Sequence, residues 1–194
     1  MNGDLGDGKT YKGNSIPGWM GDDELQWLFE KAKGMINVLE VGCWMGRSTH
    51  ALLSGCPGSI YAVDHFKGSA SQIETAHALA KTEDIHAMFM RNVGHFPNLV
   101  VLKMRSLEAA KLFAPKWFDM IFIDGDHEYT QVRGDIEAWM PKCKKLFCGH
   151  DASENGVPQA LIDLKLNPKI VRISSIWAVE LKEKIEEVSH PSNL

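Results

Sequence analysis

The sequence predicts an α/β fold: a doubly wound, Rossmann-like sheet of seven mostly parallel strands, with helices on both faces and a C-terminal antiparallel hairpin. Three observations predict it. Short apolar runs alternate with stretches in which apolar residues recur at helical spacing. The run Phe118–Ile123 is largely apolar, as in a strand that is buried on both faces. A glycine-containing turn, residues 42–46, separates the first apolar run from a helix-compatible stretch.

The strands are expected at the apolar runs that lie between turn residues. Pro57 and Gly58 form the turn before the second strand, and Ser174-Ser175 is short enough to join the last two strands as a hairpin. The expected strands are Asn37–Val41, Ser59–Val63, Leu99–Met104, Phe118–Ile123, a fifth that begins with Leu146–Cys148, Lys169–Ile173 and Ile176–Leu181.

The helices are expected where apolar residues share one helical face. Acidic residues 22–24 mark the start of the first helix, and Gly34 marks its end. Pro97 stops the third helix, and Pro158 suits the first turn of the last one. The expected helices are residues 22–34, Arg47–Leu53, Ile85–Phe96, Leu107–Phe113, Tyr129–Trp139 and Pro158–Leu164, with the polar stretch Lys67–Thr82 helical in part.

The length of the chain, 194 residues, is enough to bury a core and predicts one domain, residues 19–182. Residues 1–18 are rich in Gly, Asp and Asn and show no periodicity, so we expect a flexible N-terminal arm or a lid. Residues 183–194 are charged and polar, and we expect a C-terminal tail that frays.

The composition excludes several classes of protein. A formal net charge of −4 argues against nucleic-acid binding, which usually needs a basic domain. No apolar run approaches the roughly 20 residues that span a membrane, and the N-terminus lacks the apolar core of a signal peptide. The four cysteines show no C-x-x-C spacing and are expected to be reduced thiols of a cytoplasmic protein. A homo-oligomer is left open, with Trp19 and Trp177 as candidate contacts.

The turn after the first strand reads Glu40-x-Gly42-x-x-x-Gly46. A strand followed by a glycine turn and a helix presents backbone to a nucleotide-like ligand. The dinucleotide fingerprint G-x-G-x-x-G lacks its middle glycine here, and Trp44 fills that place, which disfavours a nicotinamide-dependent oxidoreductase. With an acid just ahead of it, the loop suits an uncharged or cationic nucleoside ligand, and S-adenosylmethionine is the obvious candidate.

Polar or glycine residues directly follow several of the expected strands. Ligands of doubly wound sheets bind at the carboxyl ends of the strands, so these segments are expected to form one site. They are Glu40–Gly46, Asp64–Phe66, Arg105–Ser106, Asp124–His127 and His150–Asp151.

These motifs resemble those of the class I S-adenosylmethionine-dependent methyltransferases, and more narrowly the group of macrocin-type O-methyltransferases and proteins named cephalosporin hydroxylases. The resemblance covers residues 18–182. It rests on Gly18-Trp19, Glu40-x-Gly42-x-x-x-Gly46-x-Ser48-Thr49, Val63-Asp64-x-Phe66-x-Gly68, Ser106, Phe122-Ile123-Asp124-Gly125-x-His127-x-Tyr129 and His150-Asp151. The family usually has Gly-Gly before the fifth strand, where this chain has Lys144-Lys145.

The resemblance implies a cofactor site for S-adenosylmethionine. Glu40 would lie near the methionine part, Asp64 would accept the ribose hydroxyls, and Ser106 would contact the adenine or cap the following helix. Gly42 and Gly46 would let the backbone approach the cofactor. The full set of expected cofactor-binding residues is Glu40, Gly42, Cys43, Trp44, Gly46, Ser48, Asp64, His65, Phe66, Arg105, Ser106 and Asp124.

Asp124 and His127 are the expected catalytic residues. His127 has a side chain suited to a general base, although it could instead cap the helix that follows. The resembling enzymes bind a divalent ion after strands four and five, which implies Asp124, His150 and Asp151 as metal ligands. Oxygen ligands suit Mg²⁺, and a histidine ligand shifts the preference toward Mn²⁺, Fe²⁺ or Zn²⁺.

The function expected from this site is methyl transfer from S-adenosylmethionine to a hydroxyl of a small molecule such as a sugar or phenol, with help from Mg²⁺ or Mn²⁺. Two alternatives stay open: a metal-independent methyltransferase in which His127 works alone, and a non-catalytic protein that only binds the cofactor. Hydroxylation is discounted, because the H-x-D part of a 2-His-1-carboxylate motif is missing.

Overall fold

The computed structural model describes residues 10–69, 76–154, 156–171 and 174–181. Within these ranges seven strands form one mixed sheet in the order β3-β2-β1-β4-β5-β7-β6. The strands are β1 Asn37–Val41, β2 Ser59–Val63, β3 Leu99–Leu102, β4 Phe118–Ile123, β5 Cys143–Gly149, β6 Lys169–Ile170 and β7 Trp177–Glu180.

Helices lie between most of these strands. They are α1 Asp22–Ala32, α2 Arg47–Gly55, α3 Ile85–Val93, α4 Ser106–Ala109, α5 Tyr129–Trp139 and α6 Val157–Asp163. Short 3₁₀ turns cover Ala76–Lys81, Ala110–Leu112 and Met140–Lys142.

The sheet is parallel from β3 through β5, and the antiparallel strands come last. β1 pairs in parallel with β2 on one side and with β4 on the other. β7 pairs antiparallel with β5 and with β6, which confirms the expected hairpin. The chain thus leaves β1 toward β2 and β3 and returns to β4 on the opposite side. This reversal places a crevice at the carboxyl ends of β1 and β4.

Helices cover both faces of the sheet, as predicted. Successive residues of a strand point to opposite faces, so Val38 joins one core cluster and Leu39 the other. The first cluster is packed by α1, α2 and α3 through residues such as Leu28, and the second by α4, α5 and α6 through residues such as Trp139. The predicted fold class is therefore confirmed.

The start of the fifth strand was predicted wrongly. The structure begins β5 at Cys143 and not at Leu146, and it includes Lys144 and Lys145 in the strand. The ammonium groups of the two lysines lie 3.9 and 3.3 Å from Oδ1 of Asp119, in neighbouring β4. The pairing of β5 with β4 shifts register here, and the two lysines lie opposite Asp119 at this irregularity.

Several other element ends differ by a few residues. α3 ends at Val93 instead of Phe96 because Gly94 forms its C-terminal cap, with its N–H bonded to the carbonyl of Met90. β3 ends at Leu102, and β6 has two residues. Of the stretch expected to be partly helical, the 3₁₀ turn is described, and residues 70–75 lie outside the described residues, as do residues 172–173 of the expected sixth strand.

The N-terminal arm is described from residue 10 onward, and residues 1–9 and the tail from 182 lie outside the described residues. Tyr11 packs its ring on Phe29 of α1 and bonds His50 of α2 through its hydroxyl. Its backbone N–H bonds Gln26. The described part of the arm is therefore held against α1 and α2, and its role as a lid stays a prediction.

Within the described ranges, no helix combines the length and apolarity needed to cross a lipid bilayer. All four cysteines are buried as thiols without a disulfide bond.

Candidate functional site

The loops after β1 and β4 cross each other closely at the carboxyl edge of the sheet. Gly42 has a φ of +85°, and a Cβ atom on it would lie 2.0 Å from the carbonyl oxygen of Asp124. Only glycine fits such a crossing. Gly46, with a φ of +93°, lies so close to α3 that a Cβ would be 3.2 Å from Phe89 and Val93. The packing of the protein itself thus requires both glycines, and their role toward the cofactor stays a prediction.

Asp64 fastens the glycine loop. Its Oδ2 accepts hydrogen bonds from the backbone N–H groups of Cys43 and Trp44, each at 2.9 Å. Its Oδ1 accepts one from the N–H of Phe66 at 2.6 Å. The sequence predicted Asp64 at this position but not these contacts. Since each carboxylate oxygen carries more than one lone pair, the expected contact with ribose hydroxyls is compatible with them.

Glu40 is fully buried beneath the same loop. Its Oε2 accepts a hydrogen bond from Thr49 at 2.5 Å, whereas its Oε1 has no hydrogen-bond partner among the described residues. Burial raises the pKa of Glu40 to about 7, although the hydroxyls of Ser48 and Thr49 act in the opposite direction. A buried carboxylate oxygen without a donor is costly, which marks Glu40 as a candidate ligand-binding group.

Two residues of the first two loops are packed inside the protein. The thiol of Cys43 is buried, and burial raises its pKa well above the ordinary value, so it stays protonated. Phe66 is buried too, with its ring 5.2 Å from that of Phe89 and 5.0 Å from that of His86. Their placement is that of core residues, and contact with the cofactor stays a prediction for both.

Trp44 and His65 are partly exposed beside them. Trp44 has a φ of +46°, and its ring centroid lies 6.0 Å from that of Trp19. His65 accepts a hydrogen bond from the N–H of Lys67 through Nδ1. Both side chains lie at the edge where the cofactor is expected, and neither is shown to bind it.

Ser106 points away from the other loops. Its hydroxyl donates to Oδ1 of Asp135 on α5 at 2.5 Å and accepts from the indole N–H of Trp139 at 2.7 Å. The suggestion that Ser106 caps the helix is wrong, because α4 begins at Ser106 itself and Arg105 occupies the cap position. Burial raises the pKa of Asp135 to about 6. Arg105 is exposed and the hydroxyl of Ser106 faces inward, and contact with the cofactor stays a prediction for both.

Acidic and histidine side chains from the β4 and β5 loops form a compact group. One possible ligand atom each from Asp124, His127 and Asp151 lies within 4.8 Å of the others, and this set could hold a metal ion. Nε2 of His127 is 2.8 Å from Oδ2 of Asp151. The group lines a small pocket together with Gly125, Asp126, His150 and Trp177.

His127 does not cap α5. Glu128 occupies the cap position, and its backbone N–H bonds Oδ1 of Asp126. Asp126 is held in turn by the hydroxyl of Ser69 at 2.8 Å. The helix-capping alternative for His127 is therefore wrong, and its imidazole instead faces Asp151.

His150 lies among three carboxylates. Its Nε2 is 3.1 Å from Oε1 of Glu24, and its Nδ1 is 3.2 Å from Oδ1 of Asp151 and 3.7 Å from Oδ1 of Asp124. The sequence placed His150 with Asp124 and Asp151 as metal ligands. The structure places Nδ1 of His150 near both acids, so its role as a ligand stays a prediction, and it adds His127 as a further candidate ligand.

The charges of this cluster shift each other's pKa values. Burial lowers the pKa of His150, but the hydrogen bonds with Asp151 and Glu24 outweigh it and raise the pKa to about 11. The hydrogen bond with Asp151 also raises the pKa of His127. Although burial opposes the change, hydrogen bonds from both histidines bring the pKa of Asp151 well below its ordinary value. Burial raises the pKa of Asp124 to about 6.

Glu24 is a member of the site that sequence reasoning assigned only to a helix start. Its Oε2 accepts the N–H of Gly21, the residue before α1, and its Oε1 accepts the N–H of Ser175 and faces His150. The place of Glu24 in the first turn of a helix was visible in the sequence. The contact with His150, which is distant along the chain, left no local signal.

Similar folds occur in solved methyltransferases. An O-methyltransferase from Bacillus cereus in complex with S-adenosylhomocysteine is 18% identical, with a TM-score of 0.58 over 86% of this chain and 84% of that chain. A methyltransferase from Podospora anserina, also bound to S-adenosylhomocysteine, is 14% identical, with a TM-score of 0.59 over 85% and 80%. The N-methyltransferase NodS from Bradyrhizobium japonicum is 15% identical, with a TM-score of 0.54 over 81% and 84%. At these identities the likeness establishes the fold alone.

The family is established by the sequence itself. No curated protein matches the chain significantly. Residues 39–146, more than half of the chain, match the family described as a methyltransferase domain. The matched region runs from β1 into β5 and includes the glycine loop, Asp64, Asp124 and His127. The chain therefore belongs to the methyltransferase domain family.

Proposed function

We propose that this protein transfers a methyl group from S-adenosylmethionine to a hydroxyl of a small molecule, with the help of a divalent metal ion. One observation carries the proposal. The buried carboxylate of Glu40, with an unpartnered oxygen, and the group Asp124–His127–Asp151 lie at the same edge of the sheet, where the β1 and β4 loops touch. A cofactor site and an acceptor site can therefore adjoin each other there.

The residues around the glycine loop fit the cofactor. The Oε1 atom of Glu40 needs a donor, and the ammonium of the methionine part is a donor of matching charge. Asp64 fixes the loop that would enclose the cofactor and keeps lone pairs for ribose hydroxyls. The bound S-adenosylhomocysteine in all three of the similar structures described above supports S-adenosylmethionine as the cofactor.

The residues around Asp124 fit a divalent metal ion. Asp124 and Asp151 would hold it through oxygen, which suits Mg²⁺ or Mn²⁺, and His127 is near enough to add a nitrogen. When bound, such an ion lowers the pKa of an acceptor hydroxyl and orients it.

The side chains of this chain would then position the acceptor and accept its proton. In the transfer, the acceptor oxygen forms a bond to the methyl carbon while the carbon–sulfur bond breaks. The electron pair of the broken bond stays on sulfur. We propose that His127 is the general base that accepts the proton of the acceptor hydroxyl. Asp151, at 2.8 Å, orients the imidazole and stabilises the imidazolium that forms. His127 cannot use one nitrogen both as a metal ligand and as a base, so the two roles are separable by experiment.

A metal-independent methyltransferase is the second candidate, and one observation favours it. His150 lies between Glu24, Asp124 and Asp151, where its hydrogen bonds raise its pKa to about 11, so its imidazolium could supply the positive charge beside the acidic group without a metal ion. A protein that binds the cofactor without turnover is the third candidate. Nitrogen as the accepting atom is also compatible with the fold, since NodS is an N-methyltransferase.

The test is transfer of a radiolabelled methyl group to panels of hydroxyl-bearing and amine-bearing small molecules, with Mg²⁺, with Mn²⁺ and with a chelator. We expect transfer to hydroxyls that the chelator abolishes and that His127→Asn removes. His95→Asn, an exposed histidine outside the site, is the matched control. Transfer that survives the chelator would establish the metal-independent candidate, and cofactor binding without any transfer would establish the non-catalytic one.

The binding of Mn²⁺, followed by its electron paramagnetic resonance signal, separates the two roles of His127. If His127 is the base, the Mn²⁺ signal of the unaltered protein carries no nitrogen coupling that His127→Asn removes, while Asp151→Asn lowers the affinity for Mn²⁺. Loss of such a coupling in His127→Asn would make His127 a ligand instead. A loss of affinity alone would not, because His127 is hydrogen-bonded to Asp151, a candidate ligand.

The remaining expectations stay proposals. We propose a cytoplasmic protein that acts on a small molecule and binds neither nucleic acid nor membrane. A homo-oligomer is left open, and sedimentation of the purified protein would decide it.

A further inference from the structure

The segment before α1 is tied to the start of α2 by one side chain. Arg47, the first residue of α2, donates from Nε to the carbonyl of Met20 at 2.8 Å. Its Nη1 donates to the carbonyls of Asn14 and Ile16 at 3.1 and 2.9 Å. The guanidinium therefore holds three backbone carbonyls of one short segment.

The same segment is fixed from its own side. The amide of Asn14 donates to the backbone carbonyl of Arg47 at 3.1 Å, and its side-chain oxygen accepts the N–H of Ile16. Met20 is buried in the core beside α1 and α2. Gly18 crosses directly over the arginine, since a Cβ on it would lie 2.8 Å from Cδ of Arg47.

Trp19 is the large side chain that this arrangement presents at the surface. It is 58% exposed, and its ring centroid is 6.0 Å from that of Trp44 in the glycine loop. Five residues further on, Glu24 bonds His150 at the end of β5. The chain from Trp19 to Glu24 thus runs from the β1 loop to the β5 loop, and β4 with Asp124 lies between those two strands.

We propose that Arg47 is a positioning residue, which fastens residues 14–20 so that the Trp19 indole stands beside Trp44 as one wall of the acceptor site. This inference rests on the proposed methyl transfer. An exposed indole gains free energy when a flat apolar surface covers it. The acceptor class is therefore a hydroxyl-bearing ring with an apolar face, a chemistry that phenols and sugars share.

Arginine suits this task better than lysine. Its planar fork of donors can serve three carbonyls in fixed directions, whereas a lysine ammonium is a single point on a flexible stem. Arg47→Lys should therefore retain the charge and lose part of the fastening. Arg47→Met should lose all three hydrogen bonds while keeping much of the apolar stem.

Fluorine NMR of protein that carries fluorinated tryptophan tests the fastening directly. The chain has six tryptophans, and Trp19→Phe assigns the resonance of Trp19. We expect Arg47→Met to move the Trp19 resonance toward that of the unfolded chain and to leave the buried Trp139 and Trp177 unchanged. Arg133→Met, which removes another helical arginine far from the segment, is the matched control. Arg47→Lys serves as the second variant if Arg47→Met does not fold.

Binding and kinetics test the acceptor wall. We expect Arg47→Met to keep its affinity for S-adenosylhomocysteine within about threefold, and to raise KM for a ring acceptor about tenfold with a smaller change in kcat. Assays with a phenol and with a methyl glycoside distinguish the two sources of the ring. An unchanged Trp19 resonance in Arg47→Met, or a loss of cofactor affinity as large as the rise in KM, would overturn the proposal.

Failure of the proposed function would give a different result from failure of the Arg47 proposal. If the unaltered protein binds no S-adenosylhomocysteine, the methyltransferase assignment fails and the acceptor wall fails with it. The shift of the Trp19 resonance in the ligand-free protein still decides whether Arg47 fastens the segment.

Discussion

Two buried carboxylates at opposite ends of the sheet differ in their hydrogen-bond donors and neighbouring charges. Asp119, at the amino end of β4, accepts the N–H groups of Ile36 and Asn37 at 2.8 and 3.3 Å and lies near Lys144 and Lys145. Burial favours its neutral form, but these donors hold the pKa of Asp119 below its ordinary value. Glu40, near the carboxyl end of β1, accepts a hydrogen bond from the hydroxyl of Thr49, and no cation pairs with it among the described residues; burial raises its pKa to about 7.

The difference separates an acid that stabilises the fold from one that we propose binds a ligand. A buried carboxylate with all its donors in place contributes to stability, whereas an unpartnered one costs free energy. The protein satisfies Asp119 with its own backbone and lysines. Among the described residues, one oxygen of Glu40 has no hydrogen-bond partner, and it lies toward the end of the sheet where we propose that the cofactor binds.

The largest effect should come from Asp124→Asn, at the carboxyl end. Loss of the charge should reduce methyl transfer about 100-fold or more, because Asp124 would hold the metal ion beside the acceptor. Since burial raises the pKa of Asp124 to about 6, removal of its charge should raise the free energy of unfolding near neutral pH and not lower it. Turnover and urea unfolding of the same preparation measure both quantities. A variant that loses stability instead of turnover would assign Asp124 to the structural class of Asp119.

Asp119→Ala should reduce stability and leave turnover unchanged. It removes the acceptor of two backbone N–H groups and should lower the free energy of unfolding by about 2 kcal/mol. Turnover per folded molecule should stay unchanged, because the residue lies at the far end of the sheet. Urea unfolding near neutral pH measures the loss, and a change below about 0.5 kcal/mol would show that these contacts are worth little.

Glu40→Gln should stabilise the protein above neutral pH and weaken cofactor binding. The folded-state pKa of Glu40 is about 7 against an ordinary 4.5, so the native protein loses stability as pH rises from the lower value through the upper one. The loss amounts to about 3 kcal/mol at high pH, and glutamine removes it. Urea unfolding should show a clear gain at about pH 8 and only a small one at about pH 5.

Glu40→Gln should also lower the affinity for S-adenosylhomocysteine about tenfold, because glutamine offers no negative charge to the ammonium of the ligand. If the variant gained no stability at high pH, Glu40 would be satisfied in the native protein, and the contrast with Asp119 would fail.

The smallest effect should come from Lys145→Met. The lysine is half exposed and 3.3 Å from Asp119, so its loss should cost less than about 1 kcal/mol and should fade as salt is added. Glu137→Gln, which removes a surface ion pair with Arg133, is a control of similar exposure. A larger, salt-independent loss would mean that the lysines, more than the backbone donors, keep Asp119 charged.

The sequence predicted those parts of the fold whose signals are local. The bounds of β1, β2, β4 and α5 agree with the structure, because turn residues or glycines enclose their apolar patterns. The start of β5 was missed because Lys144 and Lys145 read as a polar turn. They lie in a strand because the backbone of β5 pairs with β4, beside Asp119, and no local pattern signals that pairing.

The position of the candidate site was predictable from the sequence, but the directions in which its side chains point were not. The rule that ligands bind at the carboxyl ends of strands correctly brought the β1, β2, β4 and β5 loops together. It could not show that Ser106 turns toward Asp135, or that His150 pairs with Glu24 from α1. Those directions depend on side-chain packing between elements that are far apart in the chain.

Calorimetric titration of the unaltered protein with S-adenosylhomocysteine tests the central claim most directly. The account predicts saturable binding at micromolar concentrations near neutral pH, weakened in Glu40→Gln and retained in Asp119→Ala. Absence of binding would contradict the cofactor site. Equal binding by the unaltered protein and Glu40→Gln would contradict the role given to the unpartnered carboxylate oxygen.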